Sequence, residues 1–358
     1  MSNFRTVRLG DVATYINGYA FKPSDWSDNG LPIIRIQNLT GNDYQTNYYN
    51  KEYNPKYLVK KGDVLISWSA SLGVYVWQKE NALLNQHIFK VLFDKIDVDK
   101  NYFCIAVEYL LKRMGGEVHG STMKHITKPR FDNTLFPLPD KNTQKQISKK
   151  INTTDKLINK YKLITQKLDE LIKSRFVEMF GDPEINPRSI NIYPWKEIFY
   201  TQTGKLDSNE AVINGKYPFF TCSKEPLTIN EYAYDCEALL LAGNNAAGIY
   251  DVKHYNGKFN AYQRTYILQL QNKEWEYAVF KHQLEDKLLF LQSQSKGTNT
   301  RYLTMGILNQ LSFLVPPIKL QNQFADFVNK VEKQKATVQK SIDKLETLKK
   351  SLMQKYFG

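Results

Sequence analysis

Two short loops contain glycine, small polar side chains and a cation in the same order. The first is GSTMK (120–124) and the second is GTNTR (297–301), which is followed by a tyrosine. Glycine and small side chains let a backbone approach an anionic oxygen such as that of a phosphate, and the cation supplies charge. The alternative is a glycine-initiated turn that follows a helix. Because a cation recurs at the same offset, we predict anion contact by Gly120, Ser121, Thr122, Lys124, Gly297, Thr298, Asn299, Arg301 and Tyr302.

Other segments place amide, imidazole and guanidinium side chains near the ends of predicted strands. Asn and Gln can form paired hydrogen bonds with adenine, and Arg can do so with guanine. The turns SWSAS (67–71) and GNNAA (243–247) occupy similar places, as do NQH (85–87) and YQR (262–264). Turn capping and strand-edge polarity are the alternative. The candidates for contact with base edges are Ser67, Ser69, Asn85, Gln86, His87, Asn244, Asn245, Gln263 and Arg264.

Sequence motifs for catalysis are missing. The nearest match to the Asn/Asp-Pro-Pro-aromatic motif of adenine methyltransferases is VPPI (315–318), which differs at both ends. No glycine-rich nucleotide loop follows a predicted strand. Asp235, Asp251 and Lys253 resemble a nuclease triplet, but the proline that should precede Asp235 is absent. The five histidines lack metal-ligand spacing. We therefore predict no catalytic residue, no metal site and a binding role.

Charge is concentrated in two stretches of the chain. The formal net charge is +13, and residues 141–178 and 319–355 have net charges of +6 and +5. Such basic stretches favour contact with a polyanion, although solvated lysine-rich helix faces are the alternative. No apolar run is long enough to span a bilayer, and the N-terminus lacks the apolar core of a signal peptide. The three cysteines lack metal-ligand spacing, which predicts reduced core thiols and a cytoplasmic protein.

The chain contains an internal repeat. Residues 120–181 align with residues 297–358 at an offset of 177 without a gap, and fifteen positions are identical. The segments ahead of the repeat match more weakly: LPII (31–34) resembles YPFF (217–220), and a glycine precedes each proline by fourteen residues (Gly18 and Gly204). The order is therefore variable, constant, variable, constant.

The constant segments have the heptad periodicity of long helices. Such periodicity predicts coiled-coil packing, and helices of about 35 residues would be about 50 Å long. Because both descend from one unit, we expect them to pair antiparallel about an internal pseudo-two-fold axis. Gly181, followed by Asp182 and Pro183, should end the first helix. The predicted packing residues are Ile147, Ile151, Leu157, Tyr161, Ile164, Leu168, Leu171, Phe324, Val331, Val338, Leu345, Leu348 and Leu352. Ile151, Ile158 and Ile172 widen the stripe.

The variable segments combine short apolar strands with a following helix. Strands such as PIIRI, DVLIS and TYILQL precede the helical stretches CIAVEYLLKRM and EYAVFKHQLEDKLLFLQ. This order favours a curved, largely antiparallel sheet. The predicted fold class is α+β (mixed α/β), with two tandem globular domains and two long helices. The predicted boundaries are 1–140 for the first domain, 141–181 for the central helix, 182–317 for the second domain and 318–358 for the C-terminal helix.

The whole pattern resembles the specificity subunits of type I restriction–modification systems. The resemblance covers essentially the full chain and rests on VRLGDVATYINGYAF, GDVLIS, NQHI, GSTMKHI with GTNTRYL, the PLP and VPP turns, and LDELIKSRF with LETLKKSLM. The second half departs from it, since YPWKEIF lacks the LGDV pattern and NQH becomes YQR.

The resemblance implies a non-catalytic subunit that recognises DNA sequence. Each target-recognition domain would bind one half of a bipartite, asymmetric site on double-stranded DNA, and the helices would set the spacing. Two modification subunits, which methylate adenine with S-adenosylmethionine, and restriction subunits, with ATP and Mg, would be its partners; the chain itself would bind no cofactor and no membrane. The alternatives are a specificity module of a related methyltransferase system without restriction activity, a half-active relic kept for subunit exchange, and a coiled-coil scaffold that binds only proteins.

Overall fold

The computed structural model describes residues 4–41, 46–116 and 125–358. These residues form two compact units. Unit 1 contains residues 1–161 and 341–358, and unit 2 contains residues 162–340, so the helices at 141–180 and 318–357 each contribute residues to both units. None of the helices in the described ranges combines the length and apolar character required to cross a membrane.

Unit 1 contains two four-stranded sheets beside a long domain helix. The strand orders are β2-β9-β6-β7 and β4-β3-β8-β5, and a separate two-stranded ribbon joins β1 to β10. Every pair is antiparallel except β3 with β8. The elements are β1 (Thr6–Arg8), α1 (Leu9–Val12), β2 (Thr14–Asn17), β3 (Leu31–Ile34), α2 (Ile36–Leu39), β4 (Tyr48–Tyr49), β5 (Leu58–Val59), β6 (Val64–Ser67), β7 (Gly73–Val76), β8 (Ala82–Leu84), β9 (Ile88–Leu92), α3 (Lys100–Gly116), α4 (Lys128–Asp132), β10 (Leu135–Pro137) and α5 (Lys141–Phe180).

Unit 2 repeats this plan with one larger sheet. Its six strands follow the order β12-β18-β15-β17-β13-β14, and two ribbons join β11 to β20 and β16 to β19. Strand β17 pairs with β15 and, in parallel, with β13, so it combines the positions of β7 and β8. The elements are β11 (Ile192–Pro194), α6 (Trp195–Ile198), β12 (Phe199–Thr203), β13 (Tyr217–Phe220), β14 (Leu227–Ile229), β15 (Tyr234–Ala242), β16 (Asn244–Asn245), β17 (Val252–Ala261), β18 (Thr265–Leu270), α7 (Tyr277–Asp286), α8 (Leu288–Gln294), β19 (Arg301–Tyr302), α9 (Met305–Leu308), β20 (Ser312–Leu314) and α10 (Ile318–Phe357).

Largely antiparallel sheets combined with helices confirm the predicted α+β class. The second unit also has an equivalent of α1, although its sequence lacks the LGDV pattern. Short helix α6 lies next to ribbon strand β11, as α1 lies next to β1, and its Trp195 is 1% exposed. The buried Trp195 therefore begins α6 in unit 2, as the buried Leu9 begins α1 in unit 1.

A repeated buried glutamine fixes the start of each long helix. The Gln144 side chain donates to the Pro139 carbonyl at 2.7 Å and accepts from the Asp99 amide at 2.7 Å. Gln321 donates to the Pro316 carbonyl at 2.8 Å and accepts from the Glu276 amide at 3.0 Å. Because each amide satisfies two backbone groups, it joins the helix start to the domain helix beside it.

The long helices pair antiparallel within each unit. In unit 1, Asp155 of α5 binds Lys349 of α10 at 2.6 Å; in unit 2, Asp169 of α5 binds Lys335 of α10 at 2.7 Å. Phe176 contacts Phe324 edge-on, with ring centroids 5.4 Å apart. The later part of one helix therefore meets the earlier part of the other, as predicted.

The predicted heptad seam is wrong at three leucines. Leu157, Leu171 and Leu348 are 39%, 46% and 47% exposed. The buried stripe runs instead through isoleucines that lie four positions, rather than three, after Ile147, Thr154 and Leu168. These residues are Ile151, Ile158 and Ile172, and all are buried. Among the other predicted packing residues, Phe324 and Val331 are buried, and Tyr161, Ile164, Leu168, Val338, Leu345 and Leu352 are half-buried.

The three cysteines are free, but they are half-buried rather than in the core. Burial raises the pKa of the Cys104 thiol to about 11, and nearby Glu108 adds to the effect. Cys104 packs at the edge of the first core cluster.

Candidate nucleic-acid interface

Four backbone hydrogen bonds, which we call the backbone frame, hold the segments of unit 1 that carry Ser67, Ser69, Asn85, Gln86 and His87. The frame joins the segment after β2, the loop before β9, the turn after β6 and the segment before α4. The bonds are Gly18 N–Ile88 O (3.1 Å), Gln86 N–Tyr19 O (2.8 Å), Trp68 N–His87 O (3.3 Å) and Ile126 N–Trp68 O (3.0 Å). Four segments remote in sequence therefore meet at one end of the sheet.

Unit 2 has the same backbone frame. Its bonds are Gly204 N–Thr265 O (3.1 Å), Gln263 N–Leu206 O (2.9 Å), Gly243 N–Arg264 O (2.8 Å) and Leu303 N–Gly243 O (2.8 Å). A bridge between Ser69 and His125 in unit 1 corresponds to the pairing of Asn244 with Tyr302 in unit 2. The two units thus present side chains from equivalent backbone positions.

Each frame depends on one glycine. A Cβ at Gly18 would lie 2.0 Å from the Asn85 carbonyl oxygen, and a Cβ at Gly204 would lie 2.1 Å from that of Ala261. Both distances are far below van der Waals contact. Only glycine permits this close approach of backbones, which accounts for the glycine fourteen residues before the proline in each half.

The side chains on the two frames differ at most positions. His87 corresponds to Arg264, Asn85 to Tyr262, and Ser69 to Asn244, whereas Gln86 and Gln263 are the same residue. Trp68 corresponds to Gly243, where a side chain would meet the Tyr266 ring, 2.9 Å from the nearest ring carbon. The frames are therefore chemically distinct surfaces on a common backbone.

An aromatic cluster missed by the sequence analysis occupies the unit 1 frame. The Trp68 ring lies 4.9 Å from the His87 ring and 4.8 Å from the His125 ring, both edge-on. Its indole nitrogen donates to the Asn17 side chain at 3.3 Å. The tryptophan in SWSAS was the available signal, because a polar turn rarely carries an indole without a packing or contact role.

The loop that carries His87 is strained. His87 has φ +71°, a region that non-glycine residues seldom adopt. Within the described ranges, its buried Nδ1 and the buried Asn85 Oδ1 have no hydrogen-bond partner. Burial lowers the pKa of His87, and the nearby His125 lowers this pKa further. Strain and unsatisfied polar atoms at one loop are typical of functional sites.

Two predicted base-contact residues of unit 1 are wrong for this conformation. Ser67 is 0% exposed and Ser69 is 7% exposed, and the Ser67 hydroxyl donates to the Ser69 carbonyl at 3.2 Å. The Ser67 hydroxyl closes the turn, and neither serine side chain faces solvent. The predicted register of SWSAS against GNNAA is also one residue off, since the frame equates Trp68 with Gly243. Gly120, Ser121, Thr122 and Lys124 lie outside the described residues.

The predicted contact residues of unit 2 meet on one surface. Strand β16 pairs with β19, which places Asn244 opposite Tyr302 and Asn245 opposite Arg301. Gln263 and Arg264 are exposed on the adjoining loop, and the Gln263 amide donates to Asp207 at 3.3 Å. Gly297 has φ +99° and forms the turn that exposes Thr298 and Asn299.

Besides Gln263, two of these side chains already have partners in the protein. Arg301 crosses Gly248 and donates to the Gln292 carbonyl at 3.4 Å. Asn245 Oδ1 accepts from the Ala247 amide at 2.8 Å, so this oxygen stabilises its own loop. The hydrogen bond from Arg301 is long, and the Arg301 side chain is exposed, whereas the Asn245 oxygen forms a short hydrogen bond.

The carboxylates that resembled a nuclease triplet are also accounted for. Lys253 forms a salt bridge with Asp251 and donates to the Ser223 carbonyl at 2.9 Å. Asp235 lies on β15 opposite Lys258 of β17. In the part of the chain that the structure describes, no group of three or more His, Cys, Asp or Glu residues is arranged to hold a metal ion.

Comparison with known proteins gives a consistent result. The family model described as "Type I restriction modification DNA specificity domain" matches residues 1–172 and 187–347. The specificity subunit of the type I restriction enzyme EcoDI from Escherichia coli is 36% identical over 132 residues, which is 36% of this chain and 28% of that protein. The corresponding EcoBI subunit is 27% identical over 47% of this chain and 35% of that protein. These matches span about a third of each curated relative.

Solved structures match over the whole chain. The S subunit of a type I restriction–modification system from M. genitalium has a TM-score of 0.63 at 15% identity, and the match covers 100% of this chain and 96% of that one. A second chain, from a study of assembly and conformational transition of the type I system, has a TM-score of 0.58 at 13% identity, with 99% and 97% covered. At such identities these likenesses show a shared fold.

Proposed function

Because the chain belongs to the type I restriction modification DNA specificity family, we propose that it recognises one bipartite, asymmetric sequence on double-stranded DNA. Residues 1–140 and 182–317 are the two target-recognition domains in this proposal. The helices 141–181 and 318–358 connect the domains and set the distance between the half-sites.

The repeated backbone frame carries the proposal. Two units that hold the same four backbone bonds but present different side chains are suited to bind related surfaces with different sequences. A permanently charged guanidinium at Arg264 is a donor pair for guanine, whereas the neutral imidazole of His87 is not. An asymmetric target follows from this difference.

The repeated cations have the complementary role in this proposal. Lys124 and Arg301 occupy repeat-equivalent positions, and both are positively charged. Phosphate contacts position a protein on DNA without selecting sequence, so a shared cation at this place suits both half-sites. Gly120, Ser121, Thr122, Gly297, Thr298 and Asn299 are the neighbouring backbone and hydroxyl contacts in this proposal.

The chain acts as a recognition subunit and takes its chemistry from partners. Modification subunits supply S-adenosylmethionine-dependent adenine methylation, and restriction subunits supply ATP- and Mg-dependent cleavage. We place the complex in the cytoplasm, where the host DNA is. Methyl transfer to DNA by the purified chain and S-adenosylmethionine alone would contradict this division of labour.

Two repeat-equivalent grooves are the proposed docking sites for modification subunits. One groove lies between α3 and the long helices of unit 1, and the other lies between α7 and the long helices of unit 2. Each has an apolar floor edged by lysines and carboxylates. The equivalent pairs are Ile151 with Val328, Asp155 with Glu332, Glu346 with Asp169, and Lys350 with Lys173. Because the same types of side chain line both grooves, each groove can bind one copy of the same partner segment.

Domain exchange tests the recognition role. Residues 1–140 are replaced by the equivalent domain of another family member, and the methylated motif is determined by sequencing DNA from cells that express the complex. We expect one half of the motif to change and the spacer to stay. Exchange of residues 182–317 is the matched control and should change the other half. A change in both halves from one exchange would refute the modular assignment, and unaltered methylation would favour a scaffold.

Charge reversal tests the grooves. Lys173→Glu and Lys350→Glu should each remove one modification subunit from the complex, as measured by its mass in solution. Lys167→Glu and Lys344→Glu are repeat-equivalent controls on exposed positions outside the grooves. Full occupancy in both groove variants, or equal loss in the controls, would exclude the grooves as docking sites.

A further inference from the structure

The loop that follows β6 in unit 1 is shorter than the loop that follows the equivalent strand β15 in unit 2. In unit 1 the turn between the paired residues Ser67 and Gly73 contains five residues (68–72). In unit 2 the chain between Ala242 and Asp251, which are joined by a backbone hydrogen bond, contains eight (243–250). The sequence match of Gly73-Val74-Tyr75 with Gly248-Ile249-Tyr250 is therefore not a structural one: Val74 lies in β7, and Ile249 lies in the longer loop.

This longer loop holds an isoleucine in solvent. Ile249 is 66% exposed, whereas its neighbours Gly248 and Tyr250 are buried. Four bonds brace the loop from both sides. They are Ala247 N and Ile249 N to Asn245 Oδ1 (2.8 and 3.4 Å), Gly248 N to Asn245 O (3.1 Å) and Gln292 Nε2 to Ala247 O (3.4 Å). The position of Ile249 is therefore set by the loop and not by the packing of its own side chain.

The surroundings of Ile249 are basic and polar. Arg301 crosses the preceding glycine, and Asn245 and Arg301 are paired strand neighbours at the base of the loop. Exposed Arg264 and Lys296 belong to the adjoining segments of the same surface. An exposed aliphatic side chain on a braced loop among cations suits a ligand that is anionic overall and has a small apolar feature. In double-stranded DNA that feature is the thymine 5-methyl group in the major groove.

We propose that Ile249 contacts the methyl group of a thymine in the half-site bound by the second domain. This inference rests on the proposed DNA-recognition function and adds a specificity contact to it. Adenine, guanine and cytosine have no methyl group at this place, so the contact favours thymine. The first domain has no equivalent, because its loop is shorter.

The test is a protein–DNA double-mutant cycle with the assembled modification complex. Binding of the wild type and Ile249→Ala is measured on the target duplex, and on duplexes in which each thymine in turn is replaced by uracil. Uracil removes the methyl group and keeps the base-pairing edge. We expect uracil at one position of the second half-site to weaken wild-type binding about 3- to 10-fold, the scale of one buried methyl contact. Ile249→Ala should weaken binding to the normal duplex by a similar factor, and the two changes together should cost little more than either alone.

The control is Ile213→Ala, which removes an isoleucine that is 91% exposed on another turn of unit 2. It should bind as the wild type does, with the same response to uracil. Additive effects of Ile249→Ala and uracil, or a second half-site in which no thymine is sensitive, would overturn the inference while wild-type binding upheld the proposed function. A wild-type complex that showed no sequence preference would instead refute the proposed function and this inference with it.

Discussion

Gly18→Ala and Gly204→Ala should each impair recognition of one half-site and leave recognition of the other intact. In Gly18→Ala the new methyl group would lie 2.0 Å from the Asn85 carbonyl oxygen and 2.6 Å from that of Leu84. Ordinary contact begins at about 3.4 Å, so the two segments must move apart by more than 1 Å. Gly204→Ala meets the same obstacle in unit 2, at 2.1 Å from the Ala261 oxygen.

The cost of Gly18→Ala can be worked out from the bonds beside that glycine. Tyr19 N–Leu84 O (2.9 Å) and Gln86 N–Tyr19 O (2.8 Å) join the same segments and would be lost at the new separation. Each contributes about 1 kcal/mol net, and residual overpacking adds to the loss, which gives about 2–3 kcal/mol. Since 1.4 kcal/mol is a factor of ten, affinity for the half-site bound by that domain should fall about 30- to 140-fold.

The assay is competition binding of the assembled complex to the full target and to duplexes with one half-site scrambled. Gly18→Ala should lose discrimination at one half-site and keep it at the other, and Gly204→Ala should do the reverse. Gly116→Ala and Gly306→Ala are the controls, because an added Cβ meets nothing closer than 3.7 Å at either position. If Gly18→Ala weakened both half-sites equally, or matched the Gly116→Ala control, the frame would not be what positions the reading loops.

Three other outcomes are expected. Arg301→Ala should weaken DNA binding and reduce the slope of log affinity against log salt by about one, whereas Arg188→Ala, outside the frame, should leave the slope unchanged. Phe176→Ala should destabilise the protein by about 3–5 kcal/mol, because this side chain is 0% exposed against Phe180 and Phe324, and combination with Phe324→Ala should cost less than the sum when denaturant unfolding is measured. Cys104, with a pKa of about 11, should react with a thiol reagent at pH 8 about 100-fold more slowly than a thiol at its usual value near 9, and unfolding should restore the rate; rapid labelling of native Cys104 would contradict the burial assigned to it.

The sequence was informative where backbone roles repeat at a fixed offset. The offset of 177 relates Gln86 to Gln263 and Ile126 to Leu303, and the structure gives each pair the same hydrogen bond. The glycine spacing also predicted an equivalent position, because no other residue fits the approach at Gly18 or Gly204. Contacts of this kind restrict residue type strongly, so they remain visible after most side chains have diverged.

The sequence misled where several residues satisfy one requirement. Leu157 and Ile158 are adjacent apolar residues, and the sequence pattern places both on the packed face of the helix, so only the packed partner shows that Ile158 is buried and Leu157 is not. The resemblance of Gly73-Val74-Tyr75 to Gly248-Ile249-Tyr250, which follow the turns SWSAS and GNNAA in the sequence, is not structural, because three extra residues lengthen the second loop while the apolar types recur by chance. Trp68 was overlooked because its role depends on His87 and His125, which are distant in sequence.

The frame separates what must stay constant from what can vary. Backbone bonds hold both loops in one arrangement, and they depend on Gly18 or Gly204 but on no particular side chain at the exposed positions. A cation is present at position 124 and at its equivalent 301, as expected for phosphates that every sequence shares. His87 and Arg264, in contrast, present different donors from equivalent backbone. In the proposed function, substitution on the frame therefore changes specificity at little cost to folding, because the side chains proposed to select a base are not the groups that hold the loops.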